Sequence, residues 1–225
     1  MSKTPSVRSS STDVSKFLAK VRSHSPGKGR LIFALDATAS REASWDRACA
    51  LHGEMFDTAA SLGGISVQLA YYRGYREFRH SSWSKDPAAL LKEMTSVRCA
   101  GGRTQINRVL QHALAEDRAT PLGALVFIGD AFEEEIDACC EYAGELGIKK
   151  TPVFAFQEGN DPAAERAFRQ IATLSKGAYC KLDANSADLL KELLRAVAAY
   201  VAGGAAQARQ LESKHPGTRQ LLENL

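Results

Sequence analysis

Long apolar runs are missing from this chain. No stretch approaches the ~18 consecutive apolar residues that a membrane-spanning helix requires, so a spanning segment is not expected. The first residues, Met1-Ser2-Lys3-Thr4-Pro5-Ser6-Val7-Arg8, lack the apolar core of a secretory signal. Cysteine is scarce as well. The five cysteines are an odd number and follow no metal-ligand spacing, which argues against a disulfide framework or a zinc site. A reducing cytoplasm is the expected location. The phosphate-cradling pattern G-x-x-x-x-G-K-[ST] is absent, so an ATPase is not expected. There is no G-x-S-x-G nucleophile elbow either.

The charge that is present is uneven. The formal net charge is +3. Residues 1–30 carry seven Lys/Arg against one Asp, and residues 204–225 carry three against two Glu, which leaves the body at −4. A basic leader on an acidic body does not read as a nucleic-acid domain. Residues 1–29 are expected to be a basic, Ser-rich extension, partly disordered, and 204–225 a polar tail. Residues 30–203 are expected to be one globular domain.

Within that body, strand patterns alternate with helix patterns. Arg30–Asp36 reads as a central strand, because its apolar run is nearly continuous. Ala43–Leu62 has helical periodicity and ends at Gly63-Gly64. Ile65–Tyr72 reads as a strand, Arg73-Gly74 as a tight turn, and Tyr75–Arg79 as a return strand. Asp86-Pro87 opens a helix, and Thr104 opens the next. Leu122–Gly129, Thr151–Gln157 and Ala178–Leu182 are the remaining strands. Glu133–Leu146, Pro162–Leu174 and Ala187–Val201 are the remaining helices. The fold class is therefore α/β: a Rossmann-like three-layer sandwich. Its six-stranded sheet is mainly parallel, with one antiparallel edge strand and helices on both faces.

Three segments far apart in sequence deliver oxygen groups to one edge of such a sheet. Asp36 ends the first strand, and Thr38 and Ser40 follow at alternate positions. Thr104 follows the glycine turn Gly101-Gly102, and Asp130 follows the strand Leu125–Gly129. Ligands of parallel sheets bind outside the carboxyl ends of the strands. Two carboxylates and three hydroxyls make a hard donor set of the kind Mg²⁺ takes. Taken singly, each of these residues also reads as a helix cap.

The set resembles the metal-ion-dependent adhesion site of the von Willebrand factor A (VWA) domain family. That site is written D-x-S-x-S, then a distant Thr, then a distant Asp. Asp36, Ser40, Thr104 and Asp130 match it, and Thr38 stands where the family has serine. The resemblance covers about residues 30–203 and implies Mg²⁺ (or Mn²⁺ or Ca²⁺) held by Asp36, Thr38, Ser40, Thr104 and Asp130. It also implies a binding protein rather than an enzyme, whose protein partner supplies an acidic residue to the metal. A chaperone or an AAA-type ATPase is the implied company. Two alternatives remain. A phosphatase of haloacid dehalogenase type also places an Asp after its first strand, but its D-x-D-x-T pattern needs a carboxylate where this chain has Thr38. A scaffold that keeps the fold and has lost the metal is the other.

Several residues near these segments carry two readings. Glu133, Glu134 and Glu135 complement the first turn of a helix, or Glu133 reaches the metal. Trp45 is expected in the core and Trp83 on an interface. Arg41 and Arg103 either pair with a partner carboxylate or are solvated. His52, His80 and His112 are read as packing or surface residues, and adjacent Cys139 and Cys140 as packing residues.

Overall fold

In a computed structural model of the chain, the described residues are 14–17, 19–20, 29–43, 45, 49, 53, 56–57, 65–182, 190 and 192–202. Six strands form one sheet: β1 (Arg30–Asp36), β2 (Ser66–Arg73), β3 (Glu77–His80), β4 (Ala124–Gly129), β5 (Val153–Glu158) and β6 (Ala178–Leu182). The strand order is β3-β2-β1-β4-β5-β6, and β3 alone runs antiparallel, against β2. Among the described residues four full helices accompany them: α1 (Pro87–Ser96), α2 (Ile106–Ala119), α3 (Ile136–Ile148) and α4 (Pro162–Leu174). Residues 192–202 are also helical. The expected α/β sandwich with one antiparallel edge strand is therefore present.

Successive side chains of β1 point to opposite faces, and both faces are covered. Leu31, Phe33 and Leu35 pack with Trp45, Phe56, Leu90, Met94, Leu193 and Val197. Ile32 and Ala34 pack with α2, α3 and α4 through Ile106, Leu110, Cys139 and Phe168. Phe17 lies against both Phe154 and Phe156, with ring centroids 5.3 Å from each. The packed chain thus begins upstream of β1.

Helix starts follow local chemistry where a cap is available. Asp86 accepts the Ala88 N–H at 3.0 Å with Pro87 in the first turn, and Asp161 accepts the Ala163 N–H at 2.8 Å with Pro162 in the first turn. Two starts differ from the sequence reading. The helix expected at Thr104 begins at Ile106, and the one expected at Glu133 begins at Ile136. At α2 a residue from the other segment, Glu134, satisfies the first free N–H groups, as described below, whereas α3 has no side-chain cap. The return strand is Glu77–His80, shifted from Tyr75–Arg79, because the turn takes in residues 74–76. Most of the helix expected over Ala43–Leu62, the first residues of Ala187–Val201, and the tails 1–13 and 203–225 lie outside the described residues.

Sheet order places the site. From β1 the chain passes to β2 and β3 on one side, then returns to β4 on the other side of β1. The order reverses between β1 and β4, which is where a crevice opens beyond the strand ends. Asp36 closes β1 and Asp130 directly follows β4.

A close backbone approach braces this edge. A Cβ built at Gly102 would lie 2.0 Å from the Gly74 carbonyl oxygen. The loop after α1 therefore rests directly on the β2–β3 turn. Gly102→Ala is expected to push the two apart and to cost about 1–3 kcal/mol, as forced overpacking does. A lower urea midpoint at unchanged slope would show it; an unchanged midpoint would contradict the packing described.

Candidate metal centre

The loop after β1 is held from two sides. The Ala37 N–H donates to the Tyr72 carbonyl (3.0 Å), which prolongs the ladder with β2. The Ala100 N–H donates to the Ala37 carbonyl (3.1 Å), and Thr38 bridges Ala100 in parallel sense. This fixed loop then turns through a single 3-10 turn, Ala39–Arg41.

Asp36 is fully buried. One carboxylate oxygen, Oδ1, accepts the Thr38 N–H at 2.7 Å, and Oδ2 accepts the Tyr72 hydroxyl at 2.8 Å. Burial pushes the Asp36 carboxyl above its ordinary range; the bonds from Thr38 and Tyr72 oppose this, and the Asp130 charge adds to it. Tyr72 is pushed well up by burial and then by the Asp36 charge, so it stays protonated and donates.

The Thr38 and Ser40 hydroxyls lie 3.1 Å apart. Adjacent vertices of a Mg²⁺ octahedron with ligands at ~2.1 Å are ~3 Å apart. The pair therefore has the separation of two neighbouring ligands. Asp130 provides the second observation. Its Oδ1 is buried and has no hydrogen-bond partner. An orphaned buried carboxylate oxygen is costly, and a cation is one group that would satisfy it. The donor set present thus fits a hard divalent ion. Among the described residues no three His, Cys, Asp or Glu side chains cluster as metal ligands. The candidate set holds two carboxylates and three hydroxyls.

Thr104 joins the Asp130 loop through a reciprocal pair. The Glu133 N–H donates to Thr104 Oγ1 (3.0 Å), and the Thr104 N–H donates to Glu133 Oε2 (3.3 Å). The hydroxyl keeps its proton and a second lone pair. Glu133 is thus hydrogen-bonded to Thr104. Glu134 accepts the Ile106 and Asn107 N–H groups, the latter at 3.0 Å, and so caps α2 from another loop. The acidic run complements a helix start as expected, but the helix is α2 rather than α3. Local pattern carries no sign of a cap some 28 residues away.

The flanking residues divide. Arg41 is buried and pairs with Glu158 at 2.9 Å while donating to the Ile128 carbonyl at 3.1 Å. It is committed inside the protein, which corrects both of its sequence readings. Arg103 is exposed. Trp45 is buried in the core, as expected. Trp83 is no open interface residue: its indole N–H donates to Glu116 (2.9 Å), and the Arg30 guanidinium lies 3.9 Å over its ring. His80 and His112 stack at 4.4 Å, with His112 2.7 Å from the Gln68 carboxamide oxygen. Burial lowers the His112 pKa. His24, His52 and His215 lie outside the described residues. Cys139 is buried, which raises its thiol pKa to about 12 and makes it inert packing. Tyr72 carries no local signal of a site residue, although its place opposite Asp36 follows from pairing two parallel strands in register.

No family model and no curated protein matches this sequence. Solved structures do match the fold. The vWF domain of the type V pili tip protein Mfa5 from Porphyromonas gingivalis aligns with a TM-score of 0.63 at 11% identity, over 75% of this chain and 94% of that one. A von Willebrand factor type A protein from Catenulispora acidiphila aligns at 0.61 and 16% identity, over 78% of this chain and 43% of that one. The SpRpn10 VWA domain aligns at 0.58 and 11% identity, over 73% and 93%. At these identities the likeness is one of fold. The protein has a von Willebrand factor A-type fold.

Proposed function

We propose that this VWA-fold protein binds one divalent cation, Mg²⁺ or Mn²⁺ (or Ca²⁺), at Asp36, Thr38, Ser40, Thr104 and Asp130, and uses it to hold a protein partner. The observation that carries the reading is the unpartnered buried Oδ1 of Asp130 beside the buried Asp36 carboxylate. Thr38 and Ser40 would offer adjacent hydroxyls, and Asp36 would orient them through the Thr38 N–H. Bound there, the cation supplies a positive centre with positions left for water or a partner's carboxylate. Thr104 is poised between that centre and the Glu133 loop, so its hydroxyl would couple ligand binding to both.

The similar structures support the binding role by analogy: a pilus tip protein is among them. The function is binding rather than catalysis, because Thr38 cannot act as the acid–base carboxylate that a phosphatase of haloacid dehalogenase type places there. The location is cytoplasmic in this reading. No helix among the described residues is long and apolar enough to cross a membrane. A chaperone or AAA-type ATPase is the partner class to look for first. A metal-free scaffold is favoured by one fact: both Asp36 oxygens already have donors inside the protein.

Affinity purification from the native cell, with and without chelator, tests the role. Partners retained in Mg²⁺ and lost in chelator support it; identical partners in both sink it. Thr104→Ala is expected to weaken partner binding by ~1–3 kcal/mol, the range for losing a hydrogen bond to a charged group. Thr104→Ser should retain most of the affinity, since the hydroxyl survives. Equal capture by Thr104→Ala would move the binding surface elsewhere.

A further inference from the structure

Beside Thr104 lies an open cleft of about 910 Å³, between the β2–β3 turn and the loop that leads into α2. Its charge is opposite to that of the body. Arg76, Arg103 and Arg108 line it, and all three are exposed. The acidic lining residue is Glu134, whose two oxygens are committed to the α2 amides. The cleft therefore presents a strongly positive face on a body whose net charge is negative.

The walls are set. Arg108 donates from one nitrogen to the Arg76 carbonyl (2.6 Å) and to the Gln105 side-chain oxygen (2.8 Å), which ties α2 to the turn. Arg76 and Gly74 both sit in the left-handed region, at φ 56° and 54°. That conformation throws Tyr75 outward at 88% exposure, with the Arg76 guanidinium 5.6 Å from its ring centroid. An exposed tyrosine beside exposed arginines is the composition of a recognition surface, not of a solvated turn.

We infer that this cleft receives an extended acidic segment of the partner protein, carrying several carboxylates in succession. The inference rests on the metal-site reading for the anchoring carboxylate and adds the segment's character. One acidic residue goes to the metal near Thr104, and its acidic neighbours lie along Arg76, Arg103 and Arg108. Arginine forks pair with carboxylates in two-point geometry. The pairs are solvent-exposed and so individually weak, and their sum sets preference more than anchoring.

The test uses the full chain and two labelled Gly-Ser peptides, one with a single aspartate and one with four acidic residues, followed by fluorescence anisotropy. In Mg²⁺ the four-acid peptide is expected to bind roughly tenfold tighter, as three weak exposed pairs together allow. In Arg76→Gln/Arg103→Gln that ratio should fall toward one, while the single-acid peptide binds as before. Chelator, or Asp36→Asn, should weaken both peptides. A ratio near one in the wild type overturns the inference, as does a ratio unchanged in the variant, or no binding of either peptide. If chelator affects neither peptide while the ratio and its arginine dependence persist, the metal reading falls and the acidic-segment inference stands. A single-stranded oligonucleotide that binds tighter than the four-acid peptide, and loses affinity in the variant, assigns the cleft to nucleic acid and overturns it.

Discussion

Asp36→Asn is expected to abolish divalent-cation binding and to leave the fold standing. Asn is nearly isosteric, so its oxygen can still accept the Thr38 N–H, while the charge is lost and the Tyr72 hydroxyl meets an amide nitrogen that cannot accept. The stability effect has a definite sign. Burial raises the folded-state pKa of Asp36 above its unfolded value. In the metal-free wild type the folded state therefore holds its proton more tightly than the unfolded one. Stability falls as pH rises from the ordinary carboxylate range through the raised value, and the cost is fully present above it. Asp36→Asn removes that slope. At pH 7 its metal-free melting temperature should equal or exceed that of the wild type, less what re-pairing of the Tyr72 hydroxyl costs. Calorimetric titration with Mn²⁺ and a melting curve check both parts. Retained Mn²⁺ affinity would remove Asp36 from the site. A collapse of the fold would mean that its hydrogen bonds outweigh its burial.

The largest loss of stability is expected from Arg41→Met. Arg41 crosses from the 3-10 turn to the ends of two strands, bonding the Ile128 carbonyl of β4 and Glu158 of β5. Its removal takes a donor from each. Breaking a buried ion pair costs roughly 3–5 kcal/mol. Because the Glu158 side chain is 26% exposed, water recovers part of that, and the lower end, about 3 kcal/mol, applies. For a chain of this size that is a drop of roughly 6–12 °C in melting temperature. Glu158→Gln should cost clearly less, since the amide oxygen can still accept. Equal melting temperatures for Arg41→Met and the wild type would contradict the clamp.

The sheet was legible because its central strands are buried on both faces and read as apolar runs, with Leu31–Leu35 and Leu125–Ile128 each ending near a carboxylate. Strand-end position alone brings Asp36 and Asp130 to one edge. What local pattern could not carry is pairing across the chain. Glu134 caps a helix that precedes it by some 28 residues, and Arg41 meets Glu158 at a separation of 117. Trp83 sits in a serine-rich stretch that reads as open loop, yet Arg30 and Glu116 close over it. Thr104 exchanges hydrogen bonds with the Glu133 loop, and the helix behind it starts two residues later, at Ile106. In each case a polar group found its partner in tertiary structure, where periodicity is silent.

Titration of the full wild-type chain with Mn²⁺, read by electron paramagnetic resonance of the free ion, tests the central claim most directly. One ion per chain is expected to bind, to be displaced by Mg²⁺, and to be lost in Asp130→Ala. Chelation should lower the melting temperature only modestly, since one weak ligand contributes ~1–3 kcal/mol of stability. Free Mn²⁺ unchanged by millimolar competition between protein and buffer, with no bound fraction at all, would contradict the account and leave a VWA-type fold that works without a metal.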